Sequence, residues 1–584
     1  MCFVAGSTQF VVAQQTTEAA VADSPTARAL LEDLKAQAKE NPNEAARIAR
    51  RLLDEYGDVL LRTGDAREEL FRSAADAVED RLLEDTTLLA RFRELETRSA
   101  RTMLLERGAD ETAHRRRLTE AGLDASLELI EQQLMEDRAQ DALTSIARIA
   151  KHPDLVEDRA RAAHAFEALA AARLGLDAKR DEALRKVRAL GGSPQVQQNI
   201  ERMVRETTPR ALLSSQRVRA VLSHADSAEV PTAAWRQIWE MPLERALYRR
   251  LYEGTRETDA ASRNARNSAT FLTTAPVVRG SIIYLNDGES VRAIDADSRE
   301  ELWSRSLGLS GADREVGTVS DLSSIAVDDD ALVSFVGHAF SNARSGAARV
   351  WCLEPSDGAV RWTIDLDGLE GRAELQGLFP VAAPILTTDA AIILARKPTQ
   401  RLEQVDWIVA LDRRDGHVRW ARSIAGAPGT RAIAGRRQAG MTLDGDAVIV
   451  GTPLGAVARV RVGDGGVDWL RRFPVPLREA RFSAEPWEQS APVVVGDRVV
   501  WISPEEAEVV ALERTSGRVL ESRPIGPGSA WASPRYLAAI ESPSAGGENA
   551  QPLVLGIGSD VVAFDANDLT KRRWALSELL TANG

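Results

Sequence analysis

The sequence predicts a multidomain α + β chain, an N-terminal α-helical solenoid or bundle followed by a β-propeller of four-stranded antiparallel blades. Three observations predict it. All 12 Trp lie at or after Trp235, and only eight of the 40 Gly precede residue 210, so the two parts of the 584-residue chain pack by different rules. Before that point apolar residues recur at three-four spacing between helix caps. After Phe271 one pattern of strand, turn and Trp is written six times, and repeats of this length signal a stacked architecture.

The expected division is a truncated export signal or disordered tail over 1–23, a helical region over 24–209, a connecting segment over 210–270 and the propeller over 271–584. The tail is apolar and ends in Val11-Val12-Ala13, a small-residue pattern resembling a signal-peptidase site, but it lacks a basic stretch at its start. Two locations follow from it. Cleavage leaves Gln14 first and places the protein in the periplasm or cell envelope; a tail that is no signal leaves it cytoplasmic. Only Met1 precedes Cys2, so a lipid-attachment motif is not expected there.

In the helical region, Ser24-Pro25 caps and opens a helix carrying Ala27, Leu30, Leu31, Leu34 and Ala38 on one face, and Asn41-Pro42 interrupts it. Asn43 is the expected cap of the next helix, which shows Ala45, Ile48, Ala49, Leu52, Leu53 and Tyr56 before Gly57. Further on, Ala160, Ala163, Phe166 and Leu169 form a stripe, Gly175-Leu176-Asp177 turns, Ala183, Leu184, Val187 and Leu190 follow, and Ser193-Pro194 opens another helix. Helices joined by such short turns pack as antiparallel neighbours. The stretch 166–190 resembles a tetratricopeptide repeat, with Gly175 at the close-packed position, although the full consensus and a period of about 34 residues are missing. In 210–270, Trp235–Trp239 alternates as a strand does and is a candidate closing strand for the propeller.

The repeats run as Val291-Arg-Ala-Ile-Asp295 with Trp303, Glu354 with Asp357-Gly358 and Trp362, Asp412 with Asp415-Gly416 and Trp420, and Arg461 with Asp464-Gly465 and Trp469. A fifth copy has Glu513 with Ser516-Gly517 and carries Glu521 where Trp is due; a sixth has Asp565 and Trp574, one residue late. Trp303, Trp362, Trp420 and Trp469 stand 59, 58 and 49 residues apart. The Asp-Gly and Ser-Gly pairs supply tight turns, and a Trp at a fixed place in each sheet is expected to wedge, largely buried, against the turn of the next. The expected blade-docking residues are therefore Trp303, Trp362, Trp420, Trp469 and Trp574 with Gly358, Gly416, Gly465 and Gly517. Six repeats are legible, with seven or eight blades left open.

The phrase Ala410-Leu411-Asp412 through Asp415-Gly416 to Trp420 resembles the pyrroloquinoline-quinone-type (PQQ-like) propeller repeat with its tryptophan-docking motif. The resemblance covers 271–584. The family includes quinoprotein alcohol and glucose dehydrogenases as well as non-catalytic members such as the lipoprotein propeller of the outer-membrane assembly machinery, so fold alone does not choose between them. The resemblance to the dehydrogenases implies a calcium site, a catalytic Asp, basic residues around the quinone and, in many members, adjacent cysteines. This chain has no Cys-Cys pair, and Cys352 reads as a small buried hydrophobe.

Six scattered His and no paired His spacing give no metal centre. Asp357, Asp415 and Asp464 read as turn carboxylates, His417 as a solvent-exposed turn residue, and Asp328-Asp329-Asp330 as a turn and not a calcium loop. No catalytic residue, metal or cofactor is expected. With 74 basic and 87 acidic residues, net charge −13, phosphate backbones and anionic lipid repel the chain as a whole. The expected partners are proteins, with no nucleic acid and only indirect membrane association. The expected function is a non-catalytic envelope scaffold for protein–protein contacts. The alternatives are a PQQ- or small-ligand-binding oxidoreductase and a ligand sensor.

Overall fold

The computed structural model describes residues 24–63, 69–207, 276–286, 290–307, 322–336, 349–366, 372–398, 403–428, 439–473, 490–503, 508–525, 536–540, 552–558 and 560–576, with the short pieces 16–17, 273–274, 475–476 and 531. The expectations for Trp235–Trp239 and for the Ala13 cleavage site lie outside these residues. From the N-terminal stretch, Thr16–Thr17 pairs antiparallel with Val475–Pro476.

Ten helices are described in the first part: α1 (Pro25–Glu40), α2 (Pro42–Glu55), α3 (Ala74–Glu84), α4 (Thr86–Arg107), α5 (Ala109–Arg115), α6 (Glu120–Met135), α7 (Ala139–Ile149), α8 (Glu157–Arg173), α9 (Asp177–Ala189) and α10 (Pro194–Glu206). Capping explains several of their starts. Ser24 Oγ accepts from Ala27 N and Ser193 Oγ from Val196 N, each with proline in the first turn. α2 starts earlier than expected: its cap is Asn41, not Asn43, because Asn41 Oδ1 accepts from Glu44 N and Pro42 can then occupy the first turn. The apolar stripes meet in buried clusters, one around Leu34, Leu52, Leu82 and Phe92 and another around Leu123, Ile130, Leu143 and Leu174. None of the helices is long and apolar enough to cross a membrane among the described residues.

The second part is a row of four-stranded antiparallel sheets: blade 1 (277–306), blade 2 (325–365), blade 3 (379–428, with a short fifth strand), blade 4 (440–472), blade 5 (493–524) and blade 6 (536–576). Five buried clusters fill the five gaps in order. Tyr284 and Ala293 meet Leu332 and Leu353 between blades 1 and 2, and Val350 and Trp362 meet Ile393 and Val409 in the next gap. Ala410 and Trp420 meet Val448 and Val450, then Ile449 and Trp469 meet Trp501 and Val510, then Val500 and Val509 meet Val554 and Phe564. Burying both sheet faces in this way is what makes the stacked arrangement stable where one sheet alone is marginal. The chain is thus an N-terminal helical layer followed by propeller blades.

The helical region is not all helix. Leu60–Thr63 and Leu70–Ser73 form a hairpin between α2 and α3, and Phe71 and Leu70 pair with Leu470 and Arg471 on the outer strand of blade 4. Blade 4 becomes a six-stranded sheet, and Leu60 and Phe71 join the buried cluster between blades 3 and 4. The N-terminal part and the propeller thus share one buried cluster through Leu60 and Phe71, while the helices keep buried clusters of their own. Strand pairing between residues about 400 positions apart leaves no mark in local periodicity, which is the physical reason the sequence conceals it.

Candidate functional site: docking turns and the helix–propeller seam

Each expected docking Trp sits at the same register. Trp303, Trp362, Trp420, Trp469 and Trp574 face Ala293, Cys352, Ala410, Arg459 and Ala563, and Glu521 faces Ala511. Four indoles donate to a carbonyl of the following blade: Trp303 to Pro355 at 2.9 Å, Trp362 to Arg413 at 2.9 Å, Trp420 to Val462 at 2.7 Å and Trp469 to Arg514 at 3.0 Å. Their rings lie against Gly358, Gly416, Gly465 and Gly517, all at positive φ. A Cβ on Gly465 would stand 2.4 Å from the Trp420 ring, and one on Gly517 2.6 Å from Trp469. Both the backbone angle and the missing side chain are therefore used. Trp469 is fully buried and Trp303 half-buried.

The fifth and sixth copies depart from this pattern. Glu521 Oε2 accepts from Leu569 N at 3.2 Å, and a Trp absent from the repeat reading, Trp531, donates to Leu569 O at 3.1 Å and stacks on Phe564 with centroids 3.8 Å apart. Trp531 follows its blade's last strand, so no fixed offset from the repeat marks it. The late Trp574 is explained by a shortened turn at Ala566-Asn567 and a second register shift in its strand pair.

Helices α3 and α7 and the hairpin meet the short turns of blades 3 and 4 through charged groups. On the α7 side, Asp141 is paired with Arg138 and with Arg419, whose other nitrogen donates to Asp389 at 2.8 Å; Gln140 donates to Gly445 O. Arg148 donates to Asp464 at 2.7 Å. A Cβ on Gly463 would stand 3.1 Å from Asp141 Cα, so helix and turn are in contact. Beside them Arg461 reaches Asp464 at 3.0 Å, Asp468 at 2.7 Å and, across the seam, Asp76 of α3 at 3.5 Å. Arg472 holds Glu69 of the hairpin at 2.7 Å, and Arg422 holds Asp58 at 2.8 Å.

Burial sets the electrostatics here. Desolvation, with Asp389 nearby, pushes the Asp141 carboxyl up to about 7 against the pull of Arg419 and Arg138. Desolvation also opposes ionisation of Asp464, but Arg461 and Arg148 prevail and hold it far below the usual carboxylate range. The two have opposite linkage. Asp464, depressed in the folded state, contributes stability above the unfolded carboxylate value that is lost only as pH falls toward its folded value. Asp141, raised in the folded state, contributes most below the unfolded value and progressively less as pH rises toward about 7. The wild-type urea midpoint is accordingly expected to fall between about pH 5.5 and 7 relative to that of Asp141→Asn, by on the order of 2 kcal/mol. Parallel pH profiles for the two proteins would contradict it.

The remaining candidates fall where turns need them. Asp357, Asp415 and Asp464 accept from Ala359, His417 and Gly466 N, and Asp328 accepts from Asp330 and Ala331 N and pairs with Arg413. His417 is exposed on its turn. Cys352 is buried, and its thiol is pushed up to about 11 by desolvation.

Blades that set Trp rings against the glycine turns of their neighbours, with a helical layer in contact with blades 3 and 4, define the class: a β-propeller repeat protein with an N-terminal helical region. The blades are PQQ-like repeats resembling outer membrane protein assembly factor BamB, whose family model matches residues 287–568. A curated protein of that name from Moranella endobia is 24% identical over 258 residues, covering 43% of this chain and 57% of that protein. The chain thus spans little more than half the length of the curated relative it matches. Similar solved structures include BamB from Moraxella catarrhalis (16% identity, TM-score 0.33, 51% of this chain and 73% of that one). Another is quinohemoprotein alcohol dehydrogenase from Comamonas testosteroni (13% identity, TM-score 0.32, 52% of this chain and 60% of that one).

Proposed function

We propose that this protein is a non-catalytic scaffold of the cell envelope that brings protein partners together on a combined surface of helices and propeller. The observation that carries the reading is the seam. The hairpin and the paired charges of α3 and α7 fasten the helical layer to blades 3 and 4 as one body, so a partner meets both parts in a set geometry. The buried carboxylates and arginines of this region are used on one another, a structural duty distinct from chemistry on a substrate. The match to an outer membrane assembly factor supports an envelope location and protein partners. The division into 24–209, 210–270 and 271–584, a tetratricopeptide-like character for the pair α8 and α9, and blade docking through the Trp–Gly pairs belong to the same proposal.

The competing reading is a quinone-dependent oxidoreductase, and one experiment separates them. The purified protein, given calcium and pyrroloquinoline quinone, is expected to gain no bound-quinone absorbance and to reduce no artificial electron acceptor with alcohols or sugars. Acquired absorbance together with turnover would reject the scaffold. Co-purification from envelope fractions, compared between wild type and a chain lacking the helical layer, then tests whether partners need the combined surface.

A further inference from the structure

We infer that a small anion of halide size binds in the helix–propeller seam, held by N–H groups of Arg117 and Arg148 that have no acceptor. Arg117 lies in the turn between α5 and α6, and its side chain is 4% exposed. Its Nη2 donates to Glu79 of α3, but among the described residues its Nε and Nη1 are buried without a hydrogen-bond partner. Arg148, in the last turn of α7, donates through Nη1 to Asp464 of the blade 4 turn, and its Nε is also buried without a partner. The two guanidinium groups belong to one nest: Arg117 feels Arg148 directly, and both lie within electrostatic reach of Arg461, Asp76 and Asp464.

Unmet donors on buried cations are costly, because the hydration lost on folding is not replaced. The acids of the nest are directed elsewhere: Glu79 to Nη2 of Arg117, Asp464 to Arg148 and Arg461, Asp76 to Arg461, and Asp468 to Arg461 and Arg459. The charge balance points the same way. Burial, then Arg148 and Arg461 beside it, disfavour the cationic form of Arg117, and burial acts likewise on Arg148, whereas the acids hold Arg461 above its ordinary range. Positive charge is therefore under-compensated at Arg117 and Arg148 and not at Arg461.

Donor number and space select the occupant. One water accepts through its two lone pairs only, and the three free donors Nε and Nη1 of Arg117 and Nε of Arg148 exceed that; a monatomic anion takes all of them in charge-assisted bonds. The blade 4 turn closes tightly over the nest. A Cβ on Gly466 would stand 1.8 Å from Arg461 Nη2, and one on Gly463 3.1 Å from Thr144 Cβ of α7, which favours a halide over a phosphate-sized ion. The rim is at Arg148, 15% exposed, whose Nη1 lies 3.3 Å from Nε2 of the exposed His114, while His114 Nδ1 faces Asp110. An anion seated there joins the α5–α6 turn to α7 beneath blade 4, so its binding strengthens the docked state.

The test replaces sodium gluconate by sodium chloride at constant ionic strength and follows the urea midpoint of the full chain. The midpoint is expected to rise with chloride and to level off at saturation. The rise is expected to vanish in Arg117→Met combined with Glu79→Gln, which removes the donors without leaving Glu79 an unpaired charge. Crystals of the wild type grown with bromide are expected to show an anomalous peak in contact with Arg117 Nε and Nη1. A flat chloride profile overturns the inference and assigns these donors to water, even where bromide binds at crystal concentration only. An equal rise in the double variant, or a rise with no bromide peak beside Arg117, places the anion elsewhere and overturns it too. Arg148→Gln at the rim, expected to weaken the chloride response, carries the mutational arm where the double variant fails to fold.

Discussion

Replacing Trp469 by Ala is expected to destabilise the protein by about 3–5 kcal/mol, read as a lower urea midpoint. The ring is fully buried between blades 4 and 5, and its removal leaves a cavity beside Trp501, Val499 and Val510. It also leaves Arg514 O without its 3.0 Å donor. The cavity cannot collapse easily, because the turn across it is held by Gly517 at φ +71. Trp303→Ala should cost less, since Trp303 is half-buried. If the Trp–Gly pairs are inter-blade wedges, partner affinity falls only as far as the fold does. A Trp469→Ala protein of wild-type stability that had lost binding of a small molecule would show that the position lines a ligand site, and would move the oxidoreductase and sensor readings ahead of the scaffold.

Arg461→Met is expected to cost a similar amount, about 3–5 kcal/mol, for a different reason. The guanidinium is the shared partner of Asp464, Asp468 and Asp76, and these acids hold it well above its ordinary protonation range despite the opposing effect of burial. An apolar side chain of similar length fills the space but leaves three carboxylates in a poorly solvated seam with fewer cations. The check is a double-mutant cycle in urea. Adding Asp76→Asn to Arg461→Met removes one of the uncompensated charges, so the pair should cost less than the sum of the single changes. Additive costs would mean that Asp76 and Arg461 are not coupled, and that the α3 contact contributes nothing to holding the layers together.

How much of this was legible beforehand depends on the range of each interaction. The helix starts at Ser24-Pro25 and Ser193-Pro194 are readable because a cap acts on a donor three residues away. The shift of the α2 cap to Asn41 is a competition between two neighbouring Asn residues that only the backbone path resolves. The seam had no sequence signal. Asp141, Asp464 and Arg461 look like any other charged residues on helix or turn, and Asp464 was legible only in its turn role.

By itself the sequence determined the repeat: the register of each Trp, the glycines that admit the rings and the departure at Glu521, all written within 49 to 59 residues and set by local turn and strand geometry. The tertiary structure alone decided that the strands Leu60–Thr63 and Leu70–Ser73 extend blade 4, that Trp531 and Glu521 both bond Leu569, and that buried charge joins helices to propeller. Those contacts connect segments up to about 400 residues apart. Whether such groups meet depends on how whole layers pack, and a charged or apolar residue looks the same in sequence whichever distant surface it finally covers.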